Sequence, residues 1–220
     1  MIVVSRLRCT ILIDVPLPPR KPQLSASVEA FLTEAMRRIE QFQDQHQILS
    51  FVPSSFPHVY DALRQIKELN LSTGLSLCEW GSGFGVVSCL ASLLGYTAVG
   101  IEVQESLVQH AQQLADDFQI HADFHCNSFV PLDSESCFEG EEASSWLTEH
   151  AGDLEEEGIA PENFDIIFVY PWPGEEARTE KLFDLHASQG ALLLSYHGRE
   201  EVKLQRKVRD HQRKQKRSLR

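Results

Sequence analysis

The sequence predicts an α/β protein in which a mostly parallel, doubly wound sheet carries helices on both faces. Short apolar runs with strand character alternate along the chain with segments of helical periodicity, which is the pattern of βαβ units. A glycine-rich turn joins the first buried run to a helix, as it does where such sheets bind ligands. With 220 residues, 42% of them hydrophobic, the chain is long enough to bury the core of a single domain.

An amino-terminal extension, assigned to residues 1–49, precedes the sheet. Its run Ile2–Ile13 has strand character, and Ser27 is predicted to cap a helix that extends to about Gln47. The loop Phe51–Ser55 then leads to a second helix, which ends just before the first strand of the sheet. The apolar stripes of the two helices are formed by Val28, Phe31, Leu32, Ala35, Met36, Ile39 and Phe42, and by Val59, Tyr60, Leu63, Ile66 and Leu69.

The most informative motif is a glycine-rich turn that follows the acid Glu79. Its glycines alternate at Gly81, Gly83 and Gly85, so the main chain can come close to a bound ligand. A dinucleotide-binding loop needs its third glycine at the position of Val86, which argues against NAD. The alternative is a turn that only connects a strand tightly to a helix.

The pattern Glu-x-Gly-x-Gly-x-Gly resembles motif I of the class I methyltransferases that use S-adenosyl-L-methionine (SAM). The resemblance covers about residues 50–198 and implies a Rossmann-like fold, SAM as the cofactor and methyl transfer as the activity. It implies that the loop containing Pro53 closes over the methionine end of the cofactor. The residues that it assigns to cofactor binding are Pro53, Glu79, Gly81, Ser82, Gly83, Gly85, Glu102, Val103, Asn127 and Ser128.

The next strand is predicted over Thr97–Val103. Glu102 lies near its carboxyl end, about 20 residues beyond the glycine loop, where an acid can accept hydrogen bonds from both ribose hydroxyls. A solvated charge at a strand end is the alternative. A helix over Glu105–Phe118 and a third strand over Ala122–Cys126 follow. By resemblance, Asn127 after this strand contacts the adenine.

The fourth strand, Phe164–Val169, ends in a turn with two prolines and two aromatic residues. In methyltransferases this strand end lies beside the transferred methyl group, so the resemblance assigns Tyr170, Pro171 and Trp172 to the acceptor site. Tyr170 replaces the Asp or Asn of the amine-methylating members, which argues against base methylation by their mechanism. The aromatic rings could hold an ammonium group by cation–π attraction. Packing of Trp172 into the core is the alternative.

A fifth strand is predicted over Ala191–Tyr196, and the chain then departs from the family pattern. Where the family adds a final helix and an antiparallel strand pair, residues 199–220 contain ten Lys and Arg. We expect this segment to be a solvated tail, with phosphate binding as the alternative. The sheet is then either short or completed by the amino-terminal run.

Two further polar segments have structural and functional interpretations. Residues 133–157 contain ten Asp and Glu and no Lys or Arg, although the whole chain has a net charge of −12. This acidic insertion, with a short helix predicted around Ser144–His150, either attracts a cationic substrate or is a solvated loop. His121, Asp123 and His125 alternate along one strand, where edge polarity is favoured over a metal site.

Composition narrows the remaining function classes. Five cysteines without a Cys-x-x-Cys spacing argue against a disulfide framework and a zinc site. No signal peptide or membrane span is evident, so a cytoplasmic protein without a membrane partner is expected. The leading hypothesis is a SAM-dependent methyltransferase acting on a protein or small-molecule amine. The alternatives are an RNA or DNA methyltransferase and a non-catalytic SAM-binding scaffold protein.

Overall fold

The computed structural model describes residues 10–45, 52–132, 134 and 154–210. The helix predicted around Ser144–His150 and residues 211–220 lie outside the described residues. Seven strands form one sheet in the described part, in the order β1-β7-β6-β5-β2-β3-β4. The strands are β1 (Thr10–Asp14), β2 (Ser76–Trp80), β3 (Thr97–Glu102), β4 (Ala122–Cys126), β5 (Ile166–Val169), β6 (Leu192–Tyr196) and β7 (Val202–Arg209). The helices are α1 (Ala26–Gln45), α2 (Phe56–Glu68), α3 (Val86–Leu93), α4 (Glu105–Asp117) and α5 (Glu176–His186), with a short 3₁₀ helix at Pro161–Asn163.

The order of the strands makes the sheet doubly wound, as predicted. Strands β2 to β6 are mutually parallel, and β2 lies between β3 and β5. From β2 the chain first builds the sheet outward through β3 and β4, and it then returns to add β5 and β6 on the other side. The carboxyl ends of β2 and β5 therefore border the crevice where open α/β sheets bind ligands.

Helices and loops cover both faces of the sheet. Helices α1 to α4 pack on one face, and α5 packs on the other together with the segment Leu154–Phe164. The predicted stripe of α1 is buried except at Met36, which is half-buried. The prediction that Ser27 caps this helix is wrong, because α1 begins at Ala26 and the Ser25 Oγ accepts the N–H of Val28 at 3.3 Å.

The carboxyl-terminal basic segment was predicted as a solvated tail, and this prediction is wrong for Val202–Arg209. These residues form β7, which pairs antiparallel with β6 and with β1. Two lysines of this strand are engaged within the fold: Lys203 forms an ion pair with Glu180 at 2.8 Å, and Lys207 donates to the carbonyl of Ala187 at 2.7 Å. The sheet is therefore not short, and the alternative that the amino-terminal run supplies a strand is confirmed for β1.

Candidate functional site

The glycine loop between β2 and α3 folds back onto the neighbouring strand β3. The N–H groups of Gly81 and Ser82 both donate to the carbonyl of Ile101 at 2.9 Å. The φ angles of Gly81, Gly83 and Gly85 are +71°, +52° and +65°, a region that other residues rarely adopt. The main-chain geometry therefore explains why all three alternating positions are glycine.

The glycines at the two ends of this loop have different surroundings. A Cβ atom at Gly85 would lie 2.2 Å from the Phe124 ring, so the end of the loop is packed tightly against β4. A Cβ atom at Gly81 would meet nothing within 4 Å. The main chain at Gly81 is therefore open to a ligand, whereas Gly85 has a structural role.

Glu102 is the last residue of β3, and its side chain is hydrogen-bonded to the glycine loop. Its Oε2 accepts the N–H of Gly83 at 3.0 Å, and its Oε1 accepts the N–H of Gln104 at 3.0 Å. The side chain is buried, and Val103 beyond it is half-buried. Because an ionised carboxylate can accept about four hydrogen bonds, capacity remains for a ligand hydroxyl. The ribose role of Glu102 stays a prediction.

Glu79 is a buried acid at the carboxyl end of β2. Its Oε2 accepts two hydrogen bonds from Ser88 on α3, from the main-chain N–H at 2.8 Å and from Oγ at 2.7 Å. Burial raises the pKa of Glu79 to about 8, and the nearby charge of Glu102 contributes to this increase. The two hydrogen bonds from Ser88 lower the pKa, but they do not offset the effect of burial. Ser88 is a site residue that sequence reasoning missed, although its position in the first turn after the loop was a usable signal.

An open cavity of about 360 Å³, including space open to solvent, lies between the glycine loop, the segment before α2 and the end of β5. It brings together five of the predicted site residues, namely Pro53, Glu79, Gly81, Ser82 and Tyr170. The Ser82 Oγ is buried and has no hydrogen-bond partner in the described part of the chain. The rest of the wall, most of it not predicted as part of the site, is formed by Val52, Ser54, Phe56, Phe84, Val86 and Phe168.

The two aromatic residues of the proline turn take different positions. Tyr170 lines the cavity and packs edge-on against Tyr196, with the ring centres 4.8 Å apart. Trp172 is 45% exposed and is not part of the cavity wall, so the alternative that it packs into the core is wrong. Pro171 between them is buried. The structure thus brings Tyr170, but not Trp172, to the cavity.

Asn127 and Ser128 follow β4, at the next strand end beyond Glu102. Both residues are buried; the Asn127 Oδ1 accepts the Ser128 N–H at 2.7 Å, and its Nδ2 donates to Glu157 at 2.8 Å. These two residues do not line the cavity around Glu79. Contact with the adenine stays a prediction for Asn127, whose amide is oriented by Glu157.

His125 and the described cysteines lie outside the cavity wall. On the edge strand β4, the Nδ1 of His125 lies 3.1 Å from the Oε2 of Glu157. Among the described residues, no group of three or more His, Cys, Asp or Glu could hold a metal ion. Cys78, Cys89 and Cys126 are free thiols. Of the helices in the described ranges, none is both long and apolar enough to cross a membrane.

Comparison with known proteins identifies the fold. No protein-family model matches the sequence, and a search among curated proteins found no match. A methyltransferase from Geobacter sulfurreducens is similar in structure, with a TM-score of 0.51 and 13% identity over 84% of this chain and 99% of that one. This likeness shows the Rossmann-like fold of class I methyltransferases, which confirms the predicted fold class.

Two other solved structures have lower TM-scores. An RNA methyltransferase from Salinibacter ruber, in complex with S-adenosyl-L-homocysteine (SAH), gives a TM-score of 0.47 and 20% identity, over 72% of this chain and 93% of that one. Magnesium protoporphyrin IX methyltransferase from Synechocystis PCC 6803, with bound SAH, gives 0.42 and 16% identity. The match covers 64% of this chain but only 54% of the Synechocystis protein.

Proposed function

We propose that this protein is a SAM-dependent methyltransferase. The observation that carries the proposal is the cavity at the carboxyl ends of β2 and β5, where an open glycine loop meets the buried carboxyl of Glu79. A loop with room at Gly81 fits close approach of a ligand. The residues present therefore suit the cofactor that the motif implies.

Each polar part of SAM has a counterpart in the chain. Glu79 would receive the ammonium of the methionine portion, because no basic side chain already neutralises it in the described part of the chain. Glu102 would accept hydrogen bonds from the ribose hydroxyls, and Asn127, one strand further along, would contact the adenine. NAD fits less well, because Val86 occupies the position where a dinucleotide loop needs glycine.

The chain's contribution to the reaction is alignment and exclusion of water. SAM supplies an electrophilic methyl group on a sulfonium. Pro53, Phe56 and Phe168 form an apolar part of the cavity wall and would exclude water from the reacting end. Tyr170, held edge-on against Tyr196, would orient the acceptor, and fixed alignment of two reactants can supply a large part of a rate enhancement.

Among the acceptor classes, a protein or small-molecule amine is preferred to a nucleic acid. Lys203, Arg206 and Lys207 belong to the basic segment 199–220, and all three are engaged within the fold. Lys203 pairs with Glu180, and the other two donate to main-chain carbonyls. Tyr170, whose ring lines the cavity, would hold an ammonium group by cation–π attraction.

The test is transfer of isotope-labelled methyl groups from SAM into a cell lysate, followed by separation of protein, nucleic acid and small molecules. We expect label in the protein or small-molecule fraction, and much less at limiting SAM concentration with the matched Glu102→Ala variant. Label in nucleic acid would instead support the second enzyme class. SAH binding without label in any fraction would favour the non-catalytic scaffold.

A further inference from the structure

We propose that the ligand's ammonium displaces a proton from Glu79, so that each cofactor molecule bound releases one proton and binds more tightly as the pH rises through neutrality. The proposal rests on the proposed function, because the ammonium is that of SAM or SAH. It adds a proton exchange to the site, and hence a pH dependence of cofactor affinity.

In the part of the chain that the structure describes, the geometry around Glu79 leaves this carboxyl without a positive partner. Its side chain is only 5% exposed, yet it forms part of the cavity wall. The two hydrogen bonds that it accepts from Ser88, from the N–H and from Oγ, go to the same oxygen, Oε2. A ligand ammonium in the cavity can therefore approach a desolvated carboxyl that has no cationic partner among the described residues. A positive charge has its largest effect on the ionisation of a carboxyl in this situation.

Among the described residues, the groups packed around Glu79 do not supply that counter-charge. Strand β3 contributes Glu102, which carries a like charge, and α3 contributes Ser88 and Cys89. Cys78 lies next to it on β2. Burial and the charge of Glu79 raise the pKa values of both thiols, so these groups stay neutral near pH 7. On the β5 side the cavity wall is aromatic, with Phe168 and Tyr170.

The direction of the coupling follows from the two states of the carboxyl. In the ligand-free protein, burial raises the pKa of Glu79 to about 8, so the carboxyl is protonated at pH 6.5. A bound ammonium favours the carboxylate and lowers that pKa. Binding below pH 8 therefore releases a proton, and by linkage the affinity increases about tenfold per pH unit until it levels off near pH 8.

Titration calorimetry of SAH at pH 6.5, repeated in PIPES and imidazole buffers, measures the proton directly. The two buffers differ in ionisation enthalpy, so the difference in observed heat gives the number of protons exchanged. We expect about one proton released per SAH by linkage, since its α-amino group is already protonated at this pH. The matched ligand 5′-methylthioadenosine, which lacks the amino-acid portion, should release none.

The matched variant is Glu79→Gln, which keeps the size of the side chain and removes the ionisation. It should bind SAH without proton release and with an affinity independent of pH between 6 and 8. SAH binding to the unmodified protein without proton release would overturn the inference and leave the proposed function standing. Equal proton release with SAH and methylthioadenosine would also overturn it, and this comparison needs no variant to fold. Absence of SAH binding would contradict the proposed function itself, and the inference with it.

Discussion

Substitution of Gly81 by alanine separates the ligand-binding role of the glycine loop from its role in folding. Gly81 has a φ of +71°, and a Cβ atom there would meet no protein atom within 4 Å. The folding cost is therefore backbone strain alone, 1–2 kcal/mol for the left-handed conformation, reduced by roughly 0.4–1 kcal/mol because alanine restricts the unfolded chain. We expect the free energy of unfolding to decrease by about 1 kcal/mol.

Ligand binding should respond more strongly, because the new methyl group would stand in the wall of the cavity. Adding a methyl group to a well-packed contact typically costs about 1–3 kcal/mol, and 1.4 kcal/mol corresponds to tenfold in affinity. Gly81→Ala should thus weaken SAH binding by about 5- to 150-fold. Gly158→Ala is the matched control, because Gly158 has a φ of +73° and equally open space but lies outside the cavity wall.

The assays are urea unfolding for stability and titration calorimetry with SAH for affinity. Both variants should lose similar stability, and only Gly81→Ala should lose affinity. Wild-type affinity in a folded Gly81→Ala protein would refute the placement of the ligand against this loop. An equal loss of affinity in both variants would show that strain, rather than contact with the ligand, is responsible.

Three further predictions concern the ribose, the acceptor and the sheet. Glu102→Ala should weaken SAM binding by roughly 1.5–3 kcal/mol, as expected for lost charge-assisted hydrogen bonds, and unchanged affinity by calorimetry would remove Glu102 from the site. Tyr170→Ala should leave SAM affinity within about threefold and reduce single-turnover methyl transfer at least tenfold, whereas Tyr170→Phe should retain most of it; full activity of the alanine variant would contradict the acceptor role. Asp165→Asn should reduce unfolding free energy by about 1–3 kcal/mol at pH 7, because the Asp165 carboxylate accepts hydrogen bonds from Ser76 and Thr73. Burial opposes ionisation of Asp165, but these hydrogen bonds outweigh burial and hold its pKa below the ordinary value. The difference in unfolding free energy between the two proteins, measured with urea, should therefore shrink as the pH falls through that pKa. A difference that stays constant with pH would contradict the assignment.

The parallel part of the fold could be predicted because its signals are local. The β4 strand has the predicted bounds, Ala122–Cys126, and β3, β5 and β6 agree to within one or two residues. Each of these strands is short and largely apolar or precedes a recognisable turn, so a window of a few residues contains the necessary information. The same holds for the apolar stripe of α1.

Strand β7 was missed because its charges are satisfied only by distant parts of the chain. Lys207 is buried on β7 because its ammonium donates to carbonyls at the end of α5, including that of Ala187. Those partners are not visible in a local window. The alternation of Val202, Leu204 and Val208 with polar residues was a strand signal, but the density of Lys and Arg obscured it.

The candidate site was predictable where a motif specifies the main chain, and less so where packing forms the wall. Gly81 and Glu79 follow from the motif, since only glycine adopts these φ angles easily and the acid ends the strand. Phe56 and Phe168 line the same cavity because α2, which packs against α3, and β5, which pairs with β2, both border it, a relation that depends on the tertiary fold. Sequence spacing alone contains no such information.

The central claim, that this cavity binds SAM, is tested most directly by titration calorimetry of the unmodified protein with SAH and, separately, with NAD. The account predicts saturable binding of one SAH per chain and no measurable binding of NAD, given Val86 at the loop position where a dinucleotide site needs glycine. Binding of NAD at micromolar concentration, or no heat of binding with SAH, would contradict it.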